Sequence, residues 1–369
     1  MAQQSTTLRH DAGQLLITGL HATEATGPLQ VMLRALQPGG VILFGRNITA
    51  PEQTYDLLEQ CAACVEVPLF RCIDLEGGTV DRLRDVIAPA PSAAEVAATG
   101  ERKLFRRHGR LIGEQVRALG FNVDFAPVLD LAFAASRAVM TTRTVSQQPE
   151  ETVAYAREFL RGLRDAGVLG CGKHFPGLGR APLDSHFELP EVPASLAEML
   201  RTDLVPYREL RRELAFVMVA HAAYPAISGR QQPASLSKKW ITGILRKKLG
   251  YKGLIVTDDL DMGGVLAAAS VEHAAVETLR AGADMFLVCQ NEENAWRAFE
   301  AVLREAERDK KFRRLVSELA RRVRRAKHKS AEVRKGFSRP SRRTVERLKR
   351  AMEDFRRSLD RASHLAERL

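Results

Sequence analysis

Eight short β-rich runs, each separated from the next by a longer stretch of helical spacing, constrain this chain more than any other feature of its sequence. In order they are LLITGL (15–20), GVILFG (40–45), LFRCIDLE (69–76), NVDFAPVLD (122–130), VLGCGKHF (168–175), AFVMVAHA (215–222), GLIVTDD (253–259) and ADMFLVC (283–289). Amphipathic segments such as PEQTYDLLEQCAA, RKLFRRHGRLIGEQVRALG, PEETVAYAREFLRGLRDAG and KKWITGILRKKLG lie between them, and several end in Gly just before the next strand. Strand–helix alternation implies parallel strands, because parallel neighbours need a long crossover. Eight such units in about 290 residues predict an α/β chain folded as a (β/α)8 TIM barrel. The competing arrangement, an open doubly wound sheet, usually shows G-x-G-x-x-G after its first strand, and LLITGLHATEATG contains none.

Composition narrows the partners. With 369 residues, 45% of them hydrophobic and 27% charged, the chain can bury a large core and has an ordinary globular make-up. The net charge of +11 is unevenly placed: residues 301–369 carry 24 Lys and Arg against 10 Asp and Glu, so the body before them holds 32 basic and 35 acidic residues. A nucleic-acid reading therefore applies to the tail alone, where a solvated helical face covering the barrel bottom is the plainer expectation. We divide the chain into a barrel over 1–310 and a basic helical C-terminal extension over 311–369. Within it we expect a helix over 310–335 packing on the barrel and, after a break at GFSRPS (336–341), a further basic helix over 342–369.

MAQQSTTLRHDAG lacks the parts of a secretory signal, and no segment is apolar enough to span a bilayer, so a cytoplasmic protein with no membrane partner is expected. Five cysteines, an odd number in a long chain, argue against a disulfide framework. Cys61-x-x-Cys64 ends a predicted helix without a second pair and reads as two buried thiols rather than a zinc or redox motif.

Reacting groups of a (β/α)8 barrel lie at the C-terminal ends of its strands, and polar residues crowd there. The third strand ends in Asp74-Leu75-Glu76-Gly77-Gly78, followed by Asp81-Arg82; the fifth in Lys173-His174; the sixth in His221; the seventh in Asp258-Asp259. Hydrolysis of a glycoside with retention needs one carboxylate under the anomeric carbon and a proton donor beside the leaving oxygen. Asp258 or Asp259 can be the first, and a regular strand would let only one face the sugar. Asp184-Ser185-His186, in the loop after the fifth strand, offers an imidazole oriented by a carboxylate. Arg82, Lys173 and His174 would grip sugar hydroxyls. Glu76 reads as an anchor above a glycine turn, His221 as a supporting residue, and Asp259 as a carboxylate at the next helix's N-terminus. A zinc site at His174, Asp184 and His186 is disfavoured by Lys173, whose charge repels a cation.

KHFPGLGRAPLDSH (173–186), IDLEGGTVDR (73–82), HAAYP (221–225) and LIVTDDLDMGG (254–264) closely resemble the bacterial β-N-acetylglucosaminidases of glycoside hydrolase family three, the single-domain branch that serves cell-wall recycling. The resemblance runs from about residue 13 to 310. It implies that Asp258 is the nucleophile and that His186, paired with Asp184, is the acid/base. It also implies that Asp74, Arg82, Arg143, Lys173 and His174 contact the N-acetylglucosamine ring. The implied partner is a saccharide of muropeptide type, with no metal or cofactor; no oligomeric state follows. Leu178 replaces the second histidine of the family's KHFPGHG, and R-T-V-S replaces R-S-F-G around Arg143. Alternatives are another β-glycosidase or a phosphorylase of the same family, a substrate-assisted hexosaminidase, and a non-catalytic saccharide- or nucleic-acid-binding barrel.

Overall fold

The structure is a computed structural model that describes residues 2–185 and 187–366. Its strands are β1 (Leu16–Gly19), β2 (Gly40–Leu43), β3 (Phe70–Ile73), β4 (Val123–Asp124), β5 (Leu169–Phe175), β6 (Phe216–Val219), β7 (Leu254–Asp259) and β8 (Met285–Val288). They pair in chain order, all parallel, and β8 returns to β1 to close the barrel. Every residue of β1, β2, β3, β6 and β8 is buried, as strands covered by side chains inside and helices outside must be. Phe70 and Phe216 meet edge to face inside, with ring centroids 5.0 Å apart.

The regular strands are shorter than the sequence runs that announce them, and two runs lose their ladder for reasons the structure shows. The run 69–76 leaves the barrel after Ile73, and Leu75–Gly77 instead pairs antiparallel with Val80–Asp81. The run 122–130 keeps a regular ladder only at Val123–Asp124. One interaction explains part of both: Asp124 Oδ1 accepts the Leu75 N–H at 2.9 Å, which satisfies that donor away from the ladder. Pro127 has no N–H to offer its neighbour.

The expected helices are present at Pro51–Ala62, Arg102–Ala118 and Pro149–Asp165, two of them opening on Pro, whose fixed φ suits a first turn. Arg102–Ala118 and Pro149–Asp165 pack closely at Gly109, where an added Cβ would lie 2.1 Å from the Phe159 carbonyl oxygen. A helix not foreseen, Ala2–Gly13, precedes β1.

The basic tail is helical at Lys310–Lys329 and Arg342–Ala366, with a short turn Ala331–Arg334 capped by Ser330 between them. Lys310–Lys329 lies beneath the barrel, where Arg322 Nη2 donates to the carbonyls of Lys252 (2.9 Å) and Gly253 (3.0 Å) just before β7. Its Arg324 reaches Asp11 at 2.5 Å, and its buried Lys327 donates to Gln14 Oε1 at 2.8 Å. Arg342–Ala366 packs on the flank of Arg102–Ala118, where Phe355 stacks on His108 at 5.8 Å. Among the described residues no helix is long and apolar enough to cross a membrane.

Gly109→Ala tests the close helix crossing. Helix propensity alone would stabilise the variant by up to about 1 kcal/mol. The clash with Phe159 reverses that sign, and urea unfolding should show a loss of about 1–3 kcal/mol.

Candidate active site

At the C-terminal mouth of the barrel a cavity of about 270 Å³ is walled by Asp74, Arg82, Arg143, Lys173, His174 and Asp258, together with Glu76, Asp259 and Phe44. Six of the eight site residues implied by the family resemblance therefore meet in one place. A larger hollow, about 600 Å³, lies at the opposite end of the barrel, away from these groups.

A chain of buried charges shapes one side of the mouth. Lys173 Nζ stands 2.7 Å from Asp74 Oδ1 and 2.6 Å from Glu76 Oε1. Glu76 is gripped from the other side by Arg143, whose Nε and Nη2 donate to its two oxygens at 2.8 and 2.9 Å. Burial alone would raise the Glu76 pKa, but Arg143 and Lys173 outweigh it and hold the carboxyl far below the usual carboxylate range. Burial would likewise lower Lys173, and Asp74 with Glu76 keeps it charged above the ordinary lysine value. Two glycines follow Glu76 at φ 85° and 59°, the turn that returns the chain beneath the cavity.

Arg143 Nη2 also approaches His174 Nε2 at 3.4 Å, and His174 Nδ1 lies 2.6 Å from Asp130 Oδ2. A guanidinium can only donate, so the network assigns the proton to Nδ1, where Asp130 accepts it. The other oxygen of Asp130 accepts the backbone N–H of Leu178 at 2.6 Å. The residue that departs from the family's histidine is thus buried and contributes its main chain here. Asp130 was missed by sequence reasoning, although its position at the end of the fourth β-rich run was a usable signal.

Asp258 and Asp259 both line the cavity, contrary to the alternation expected of a regular strand. The β7–β8 register explains this: Val256 faces Met285 but Asp259 faces Leu287, so β7 carries one extra residue across that interval. Asp259 is not at a helix N-terminus. Its Oδ1 accepts N–H groups of Asp261 (3.0 Å) and Cys289 (2.9 Å), and burial pushes its pKa up to about 7. His221 supports this turn from below, with Nε2 2.9 Å from the Asp259 carbonyl oxygen and Nδ1 2.7 Å from Ser235 Oγ.

Arg82 lies 5.7 Å from the centroid of the Phe44 ring, and among the described residues its buried Nε has no hydrogen-bond partner. Asp184 does not wall the cavity. Its loop is tied to the segment after β7 by the Gly264 N–H, which donates to the Ser185 carbonyl at 3.1 Å. A Cβ at Gly264 would lie 2.7 Å from that oxygen, so glycine sets how closely the loop can approach. His186 lies outside the described residues. Beside that position Leu183 and Phe187 are exposed.

A sequence profile described as the glycosyl hydrolase family 3 N terminal domain matches residues 7–326. A Beta-hexosaminidase of Pseudomonas aeruginosa is 38% identical over 292 residues, which cover 78% of this chain and 86% of that protein. Among solved structures, a glycoside hydrolase family 3 β-N-acetylglucosaminidase from Paenibacillus superposes with a TM-score of 0.81 at 33% identity, covering 93% of this chain and 68% of that one. Native NagZ from Neisseria gonorrhoeae superposes with a TM-score of 0.69 at 30% identity, covering 84% of this chain and 97% of that one.

Removing the shared carboxylate should be costly, because two buried cations would then face each other. Glu76→Ala is expected to lose about 3–5 kcal/mol in urea unfolding. Because the folded-state pKa lies below the ordinary 4.5, the contribution of Glu76 is present above that pH and is lost as pH falls. Thermal unfolding from pH 6 down to about pH 3 should therefore fall more steeply in the wild type than in Glu76→Gln.

Proposed function

The chain belongs to glycosyl hydrolase family 3, and from that premise we propose that it is a retaining β-N-acetylhexosaminidase that releases terminal β-linked N-acetylglucosamine. The observation that carries the site assignment is the single cavity collecting Asp258 with Asp74, Arg82, Arg143, Lys173 and His174 at the strand ends. The last five bind the sugar ring: Lys173 and Arg143 are held as fixed cations by Glu76, and His174 is held in one tautomer by Asp130. Donors oriented before the substrate arrives need not reorganise during the reaction.

Asp258 attacks the anomeric carbon while His186, oriented by Asp184, gives its proton to the leaving oxygen. The glycosidic C–O bond breaks and a covalent glycosyl-enzyme forms. In the second step His186 takes a proton from water, which attacks the same carbon and frees Asp258, so the β-configuration is retained. We assign residues 1–310 to the catalytic unit and 311–369 to its extension. The natural substrate in this reading is a muropeptide-type saccharide from cell-wall recycling. The enzyme acts in the cytoplasm, a reducing setting that suits its five cysteines, all buried and free.

Release of nitrophenol from 4-nitrophenyl β-N-acetylglucosaminide tests this reading, with the β-glucoside as control. The wild type should turn over the N-acetyl substrate, and Asp258→Ala should fall by at least ~10³-fold in kcat/KM. His186→Ala should lose about 10²–10⁴-fold on a sugar aglycone. Its kcat/KM loss should be smaller on the nitrophenyl substrate, whose leaving group departs without a proton. An α-anomer as the first product by NMR would exclude the two-step mechanism.

A further inference from the structure

The hollow at the N-terminal end of the barrel is more than twice the size of the cavity that holds Asp258, about 600 Å³ against 270 Å³. Conserved packing, not space, is what the bottom of such a barrel ordinarily supplies for stability. Its floor is apolar: Phe70, Phe216 and Leu254, themselves buried, sit at the starts of β3, β6 and β7, and the half-buried Leu169, Ala215 and Ala326 line the hollow with them. Its rim is cationic. Lys310–Lys329 turns Phe312, Val316, Leu319 and Val323 inward and carries Arg321, Arg325 and Lys329 along one edge of the hollow.

Those three are spaced i, i+4, i+8, so each repels the next along the helix surface. All three are exposed, and among the described residues none meets a carboxylate at ion-pair distance. Arg322, on the same rim, is engaged by Asp284 at 3.1 Å. Lys252 adds a further cation from the barrel side, and Glu318 is the one carboxylate of the lining. The rim therefore has a surplus of positive charge beside an apolar floor, in a volume typical of small-molecule sites.

We propose that this hollow is a binding site for an amphipathic anion, with a carboxylate or phosphate head on Arg321, Arg325 and Lys329 and an apolar body lying on Leu169, Ala215 and Ala326. A nucleic-acid backbone would use the cations but would leave the apolar floor without a role. Arginine suits such a head because its planar fork matches carboxylate and phosphate oxygens.

Calorimetric titration of the full chain with octanoate and octyl phosphate tests this, with inorganic phosphate and 1-octanol as head-only and tail-only controls. Saturable one-to-one binding of the octyl anions is expected, with each control weaker by at least ~10-fold. The Arg321→Gln/Arg325→Gln variant should weaken octyl phosphate by at least ~10-fold and leave nitrophenol turnover unchanged, which also reports an intact fold. Absence of saturable binding, equal binding of inorganic phosphate, or an unaffected double variant would overturn the proposal. So would capture by phosphatidylglycerol vesicles or a DNA duplex without binding of the free octyl anions.

Discussion

Glu76 sits between Lys173 and Arg143: it shares Lys173 with Asp74 and grips Arg143 through both of its oxygens, so that two buried cations are held on one carboxylate. A lone charge taken out of water costs several kcal/mol, and only a close partner with good hydrogen-bond geometry offsets it. Here the partners come from distant parts of the chain: Asp74 and Glu76 follow β3, Arg143 lies in the segment before Pro149–Asp165, and Lys173 is on β5. The network therefore joins three stretches of backbone at the barrel mouth. It also extends sideways through His174 to Asp130, which in turn fixes the main chain at Leu178. The walls of the cavity are positioned by electrostatics, on strands positioned by apolar burial.

How much of this could be read from the sequence depended on the range of the interactions. The eight strands were legible because strands buried on both faces leave continuous apolar runs. The cluster at the mouth was legible because chemistry gathers at strand ends. What escaped was set by contacts between distant residues. The detachment of Leu75 depends on Asp124, the placement of both Asp258 and Asp259 along the cavity on a bulge defined by β8, and the role of Asp130 on where His174 points. None of these leaves a local pattern. The Asp184–Ser185–His186 motif was readable as a pattern, but its placement depends on a loop, and His186 is outside the described residues.

The tail shows a different relation between sequence and structure. Its charge suggests a polymer-binding arm, yet much of that charge is used locally: Arg322 on Asp284, Arg324 on Asp11, Arg339 on Asp56 and Arg347 on Glu114. Apolar residues on the inner faces of its two long helices do the packing, Val316 and Val323 on one, Leu348, Met352 and Phe355 on the other. A net charge counted over a segment says little until the paired part is set aside.

The cavity wall and the Asp184 loop are held by different kinds of contact. In the cavity wall Lys173, Glu76 and Arg143 are cross-braced by ion pairs, while the Asp184 loop meets the segment after β7 through the main-chain bond from Gly264 to Ser185. Substitutions in the braced side propagate through every partner, whereas the loop and its exposed Leu183 and Phe187 can change with little effect on the barrel. Change in the loop can thus leave the ion-paired wall undisturbed, so the two are free to vary separately.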